Sequence, residues 1–319
     1  MDEVRRAEMG VHSELVTVVI VTYNRCDDLR EALESIQKQD YRNVEIIVVD
    51  NASQDDSCAM LSREFPKVSV IALNENRGMD AYSVGFEQAR GEYIFQMDND
   101  SLMPKPTVLS DVVERFMDGP SDLAVVATRV EEYRSESDSI EALRIRDPRR
   151  GPINTGGFHA GGVGLKKRFI DKVGYYNRDV FLYGSEIFLG MKLLAGGYKI
   201  VYYPEILMLH KSSPTARSPQ GIFYEIRNRY WMVRHFFPRE RSLVLLAQLM
   251  IYDVGYAVHK RALRSLLRAW IEGLGPLPPS LKNKVISERA DFQAKLRELY
   301  ATFCLSAAQR RVTNVLRHK

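Results

Sequence analysis

Tyr93-Ile94-Phe95-Gln96-Met97-Asp98-Asn99-Asp100 is an apolar run that ends in two carboxylates two residues apart. The run suits a strand buried on both faces, and the acids then stand where it leaves the sheet. Two carboxylates at such an edge can share one hard divalent cation, which in turn can hold a diphosphate. Read alone, an Asp-x-Asp triplet is more often a solvated turn. Three earlier segments repeat the form. Thr17-Val18-Val19-Ile20-Val21 runs into Thr22-Tyr23-Asn24-Arg25, Val44 to Val49 ends at Asp50-Asn51, and Val68 to Leu73 ends at Asn74 to Gly78.

Helical patterns separate these runs. Leu29, Leu33 and Ile36 keep helical spacing behind Asp27 and Asp28, which suit the first turn of a helix. Ser53 or Asp55 can cap a helix running through Met60 and Leu61 to Phe65, and Met79 to Ala89 reads as a third. Strand and helix alternating over short connections predict an α/β fold, a mostly parallel sheet flanked by helices. Ligands of such sheets collect at the carboxyl ends of the strands, and every strand here ends in polar residues.

Beyond Val130 the pattern changes. Residues 131–154 are rich in Glu, Ser and Arg and read as a long loop or insertion. The glycine-rich stretch Gly156 to Gly164 follows, then a helix over Lys166 to Val173. Phe181 to Glu186 leads into a helix over Ile187 to Ala195, and Lys199 to Tyr203 reads as a strand. From Gln220 the chain reads as helices broken at Pro238 and Pro276 to Pro279. The expected organisation is a tail over 1–14, a catalytic domain over 15–215 divided at residue 130, and a basic helical extension over 216–319.

With 45% hydrophobic and 27% charged residues, the 319-residue chain has the composition of a globular protein with ample core. No stretch reaches about 18 consecutive apolar residues, so no membrane span is expected. The nearest, Leu243 to Val258, is interrupted by Gln248 and Asp253. The N-terminus lacks the apolar core of a signal peptide. Cys26, Cys58 and Cys304 have no metal or disulfide spacing, which suits a reducing compartment. Residues 216–319 hold 19 Lys/Arg against 7 Asp/Glu, a net +12, while residues 1–215 hold 26 against 34, a net −8. A basic tail invites nucleic acid, an anionic membrane face or acidic partners, and charge alone does not choose among them.

Taken in order, Val19 to Arg25, Val48 to Ser53, Asn74 to Gly78 and Asp98 to Asp100 resemble family 2 glycosyltransferases, inverting enzymes of the GT-A fold that take sugars from nucleoside diphosphates. The resemblance covers residues 16 to about 211. It implies that Thr22, Tyr23 and Arg25 line the base pocket and that Asp50, with Asn51, meets the nucleobase. Arg77-Gly78 matches the family's Asn-x-Gly turn, where glycine lets backbone approach ribose or phosphate. Asp98 matches the acid beside the ribose, Asp100 the metal ligand, and His210 a downstream histidine that completes coordination of Mg²⁺ or Mn²⁺. An ordinary helix-capping role for Asp50, a plain turn at Gly78 and a structural His210 are the competing readings of those residues taken singly.

An inverting transfer needs a carboxylate opposite the leaving group to take the acceptor hydroxyl's proton. The family places it in an acidic pair opening a helix after an aromatic-Gly segment. The matching stretch here is Phe181-Leu182-Tyr183-Gly184-Ser185-Glu186, which nominates Glu186 as base and leaves Ser185, in place of an acid, to cap the helix. His159 falls in the stretch that resembles the family's acceptor-side loop, where it either touches acceptor or diphosphate or is a packed loop histidine. Tyr224 to Trp231 resembles an Arg-Asn segment of bacterial rhamnosyltransferase-like members, in which Arg227 and Arg229 face diphosphate or lipid, or else pack in a docking helix. Ala262 to Ile271 has an apolar stripe beside Arg261, Arg264 and Arg268, suited to an anionic membrane or to burial against the domain or a second subunit.

The expected activity is transfer of a sugar, rhamnose or another deoxyhexose, from a UDP- or dTDP-sugar to a hydroxyl of a glycan, lipid-linked or small-molecule acceptor. The expected place is the cytoplasm, peripheral on the inner face of the plasma membrane, with a homo-oligomer allowed. A catalytically silent nucleotide-sugar binder and a natural-product glycosyltransferase are the alternatives. Nucleic acid is not expected as a partner, since the body is acidic and carries no binding motif.

Overall fold

The computed structural model describes residues 14–133, 151–211 and 218–299. Its first half alternates as the sequence reads: β1 (Val16–Thr22), α1 (Cys26–Gln37), β2 (Val44–Asp50), α2 (Ser57–Glu64), β3 (Ser69–Ala72), α3 (Ala81–Gln88) and β4 (Tyr93–Asp98). These four strands are parallel, in the order β3-β2-β1-β4. Register brings their polar ends to one edge, with Thr22 opposite Asp50 and Val21 opposite Asp98.

After β5 (Ser101–Leu102) and α4 (Val108–Asp118), the sheet continues through β6 (Leu123–Tyr133), β7 (Ile153–Thr155), β8 (Val163–Lys166) and β9 (Lys199–Lys211). The full order is β3-β2-β1-β4-β8-β6-β9-β5, with β7 on β9. Because β8 is antiparallel to both β4 and β6, this second half is mixed. Period-two alternation divides the core. Val19 and Val49 join α3 on one side of the sheet, while Val18, Ile20 and Val48 join α1 and α4 on the other.

Several elements depart from the sequence reading. The strand expected to stop at Tyr203 runs on to Lys211, because the chain passes Pro204 as a bulge. The β6 partner jumps from Tyr203 to Leu207, so no ladder N–H is demanded of the proline. Gly162 and Gly164, read as loop, lie at β8 because neighbours fill the space a side chain would need. A Cβ at Gly164 would meet Val112 at 2.5 Å. Most of the loop expected over 131–154 lies outside the described residues, but its ends are strand: β6 extends to Tyr133 and β7 begins at Ile153.

α5 (Lys167–Val173) and α6 (Ser185–Ala195) precede and follow the loop that carries Phe181 to Gly184. The extension consists of α7 (Pro219–Phe236), α8 (Arg239–His259), α9 (Leu263–Leu274) and a further helix over 290–299. Ile222, Ile226, Tyr230 and Val233 of α7 share one core with β1, α3 and α6. The extension is therefore continuous in packing with the body, not a separate unit.

Candidate active site

β4 delivers Asp98 and Asp100 to the sheet edge, and the extra length of β9 brings His210 opposite them, paired with Ser101. Ligand atoms of Asp98, Asp100 and His210 all lie within 4.8 Å of one another. His210 Nε2 is 3.2 Å from Asp100 Oδ1 and 3.7 Å from Asp98 Oδ2. Two carboxylates and an imidazole are a donor set that fits Mn²⁺ or Mg²⁺. Asp98 thus belongs to the same cluster as Asp100, whereas the sequence resemblance reserved it for the ribose.

The electrostatics are those of a crowded acidic pair. Burial, then the charge of Asp100, pushes the Asp98 carboxyl up. Asp100 is held below the usual range despite burial, by the His210 hydrogen bond and charge and then by Arg25. The Asp100 bond in turn raises His210 against its own desolvation. His159 stands edge-on to His210 at 5.7 Å between ring centroids, its Nδ1 accepting from the Gly161 amide at 3.0 Å. Burial lowers its basicity.

Other expected residues sit differently. Arg25 turns toward the acidic cluster: its guanidinium donates to Asp100 Oδ2 at 2.8 Å and to Asp28 at 3.2 Å. Charge drew it there, and residue spacing could not show it. Thr22 is fully buried, its hydroxyl accepting from Asn99 Nδ2 at 3.0 Å, so it braces the triplet, while Tyr23 and Asn24 are the exposed residues of that strand end. Asn51 is also buried and staples two loops, donating to the Asn76 side chain at 3.0 Å and accepting from the Arg77 amide at 2.8 Å. Arg77 pairs with Asp80. Gly78, at φ +58°, gives its room to protein: a Cβ there would lie 2.1 Å from the Phe181 carbonyl oxygen. Asp50 retains an open acceptor. Its Oδ2 takes the Ser53 amide at 3.2 Å, while Oδ1 is buried without a hydrogen-bond partner.

Glu186 is the second residue of α6 and half-buried. Burial pushes its carboxyl up to about 7, opposed by backbone hydrogen bonding at the helix start and reinforced by the Asp98 charge. The charge of Asp98 therefore reaches the Glu186 carboxyl. The helix cap is Gly184, at φ +83°, not Ser185. The Ser185 hydroxyl, fully buried, donates instead to the Val180 carbonyl at 2.9 Å.

Arg227 and Arg229 face inward, which fits the docking-helix reading and not the one that turned them to diphosphate or lipid. Arg227 lies 4.1 Å over the Trp231 ring and donates to the Asp179 carbonyl at 3.0 Å, and Arg229 pairs with buried Asp253. With Glu272 3.4 Å from Arg227, each of the two guanidinium groups has an acidic partner within the fold. Their neighbour Asn228, which sequence reasoning passed over, donates to the carbonyls of Leu182 and Tyr183 and so holds the loop before Glu186. Tyr82 and Tyr176 were also missed. The Tyr82 hydroxyl is 2.8 Å from Asp98 Oδ1, and that of Tyr176 donates to Gln96 at 2.8 Å. Gln96, a fully buried amide inside an apolar strand, was the one available signal of a polar partner.

The family model Glycosyl transferase family 2 matches residues 17–174, just under half of the chain and short of Glu186 and His210. The chain is similar to Glycosyltransferase GlyG of Streptococcus pneumoniae, 34% identical over 118 residues, covering 35% of this chain and 38% of the relative. It is similar to Succinoglycan biosynthesis protein ExoO of Rhizobium meliloti, 36% identical over 112 residues, covering 34% of this chain and 32% of the relative. A longer match, 26% over 203 residues, is to Poly-beta-1,6-N-acetyl-D-glucosamine synthase of Staphylococcus aureus, covering 60% of this chain and 48% of the relative. The chain thus spans about a third to a half of the length of these curated relatives. Among solved structures it resembles the mannosyltransferase PcManGT of Pyrobaculum calidifontis in complex with GDP-Man and Mn²⁺, with TM-score 0.55 and 20% identity, covering 92% of this chain and 84% of the other. GalNAc-T7 with UDP, GalNAc and Mn²⁺ gives TM-score 0.57 at 13% identity, covering 75% of this chain and 51% of the other. At such identities the likeness establishes the fold, a GT-A-type α/β sheet with flanking helices.

Proposed function

We propose, from a chain that carries a glycosyl transferase family 2 domain, that it is a metal-dependent inverting glycosyltransferase. The observation that carries this reading is the Asp98–Asp100–His210 cluster, whose ligand atoms all lie within 4.8 Å of one another, and the Asp98 charge is felt by Glu186, pushed up to about 7. When bound there, a divalent cation supplies positive charge to the donor's diphosphate and to the charge that grows as it leaves. Asp98, Asp100 and His210 would hold it, with Tyr82 fixing Asp98 and Thr22 fixing the intervening Asn99.

The rest falls to the chain's own groups. Asp50 Oδ1, buried and unpartnered, accepts an N–H from the nucleobase, and a base lacking that donor loses about 1–3 kcal/mol. Glu186 takes the proton of the acceptor hydroxyl as it attacks the anomeric carbon. A carboxyl near 7 is matched to that task, ionised in time to act and basic enough to pull. The donor reading is a UDP- or dTDP-sugar, with rhamnose or another deoxyhexose first, and the acceptor a glycan, lipid-linked or small-molecule hydroxyl.

The experiment is a thermal-shift screen of nucleotide sugars with and without Mn²⁺. A true donor stabilises the chain only with the metal, by about 2.7 kcal/mol at a hundredfold excess over its Kd. A silent binder is the second reading, favoured by Ser185 standing buried where the family has an acid. It would show the same stabilisation and never release nucleoside diphosphate.

A further inference from the structure

α8 and α9 present an apolar outer face to which the site makes no claim. Among the described residues α8 is the one helix long and apolar enough to cross a membrane. It does not stand free for that purpose. Its inner face, with Leu245, Leu249 and Ala257, is buried, and Asp253 on that face pairs with Arg229 of α7. The outer face is the open one. Leu243, Val244, Ile251, Val254 and Val258 are all exposed along it, Ile251 by 73%. Between Ser242 and Val258 the only charged residue is the buried Asp253. In α9, Leu263, Leu267, Ile271 and Leu274 repeat the pattern, with Ile271 75% exposed. Both helices pack against α7, so their outer stripes look away from it.

Charge says what covers this face. Arg239 and Arg241 are exposed at one end of α8, and Lys260 and Arg261 at the other. Arg264 and Arg268 are exposed on α9 beside its apolar stripe, and the acids with exposed side chains in the two helices are Glu240 and Glu272, the latter paired with Arg227. An uncharged stripe about 24 Å long, bordered by six cations, is the pattern of a helix lying in a headgroup layer. A protein–protein core of this kind would leave those cations without acids to meet.

We propose that the outer face of α8 and α9 docks this chain on an anionic lipid leaflet, with both helices lying in its plane and neither crossing it. The inference rests on these helices alone and stands whether or not the metal cluster transfers sugar. Each Arg or Lys held near an anionic surface adds about fivefold to binding. Each large aliphatic side chain seated in the acyl boundary adds about tenfold or more.

The test is co-sedimentation of the full chain with vesicles of phosphatidylcholine alone or mixed with phosphatidylglycerol. The expected result is binding to the mixed vesicles, at least about tenfold weaker to pure phosphatidylcholine, and weakened by salt. Ile251→Glu and Ile271→Glu should each lower binding about tenfold or more while leaving the melting temperature unchanged, since both side chains are exposed. Arg264→Ala should lower binding to mixed vesicles about fivefold and leave any residual binding to pure phosphatidylcholine unchanged. Equal binding by the Ile variants would overturn the proposal. So would a chain that ignores both vesicles and sediments as a dimer that Ile251→Glu dissociates, since the face would then join two copies.

Discussion

Replacing Glu186 by Gln removes one ionisable group and almost no volume, so its effects can be worked from the carboxyl's surroundings. Burial raises that carboxyl from 4.5 to about 7. The folded chain therefore keeps a proton that the unfolded chain gives up. The stability this contributes is complete below about pH 4.5 and is lost as pH rises through about 7. A displacement of that size is worth about 3 kcal/mol if fully expressed, and the half-buried position reduces this to about 1–3 kcal/mol. The amide that replaces the carboxyl has nothing to titrate. In urea melts run with EDTA, the variant's advantage in unfolding free energy should grow by about 1–3 kcal/mol between about pH 5 and about pH 8. Turnover by the parent chain should rise through about pH 7 as the base ionises, and the Glu186→Gln variant should lose about a hundredfold or more with donor Kd unchanged. A stability difference that stays flat with pH, or a variant with full turnover, would refute the reasoning.

Asp100→Ala should abolish Mn²⁺-dependent stabilisation by donor, and calorimetric titration of Mn²⁺ should show no uptake at the site. Asn228→Ala frees the carbonyls of Leu182 and Tyr183, at a cost of about 1–3 kcal/mol in a chemical melt. Because that loop leads to Glu186, kcat should fall while donor Kd holds. Gly78→Ala puts a Cβ against the Phe181 carbonyl at positive φ, so a loss of about 2 kcal/mol or more is expected in the same melt. Asp50→Asn should raise donor Kd about tenfold or more with little change in kcat, read by titration of the nucleoside diphosphate.

The parallel half of the fold was legible because its strands are apolar runs of the right length, each closed by polar residues. Asp98 and Asp100 were legible as acids closing an apolar run, and His210 only through the family resemblance. Their convergence was not, because it depends on β9 continuing past Pro204, where local propensity ends a strand. Arg25 was assigned by its neighbours in sequence, while its guanidinium follows the charge of Asp100, 75 residues away. Arg227 and Arg229, interleaved with aromatics, allowed either contact with diphosphate or lipid or packing in a docking helix, and the sequence did not show which. Trp231, four residues on, is a local partner of Arg227, but burial of the two arginines also follows from Asp179 and Asp253, which no local pattern links to them. Tyr82, Tyr176 and Asn228 support the site through side chains ordinary for core helices and loops, and only packing reveals their work.

The most direct test of sugar transfer is release of nucleoside diphosphate from a panel of UDP-, dTDP- and GDP-sugars, with Mn²⁺ or with EDTA. The expected result is release from at least one donor, abolished by EDTA, restored by Mn²⁺, and absent in Asp100→Ala. Release that persists undiminished in EDTA, or none from any donor in the presence of Mn²⁺ and a range of hydroxyl acceptors, would contradict it.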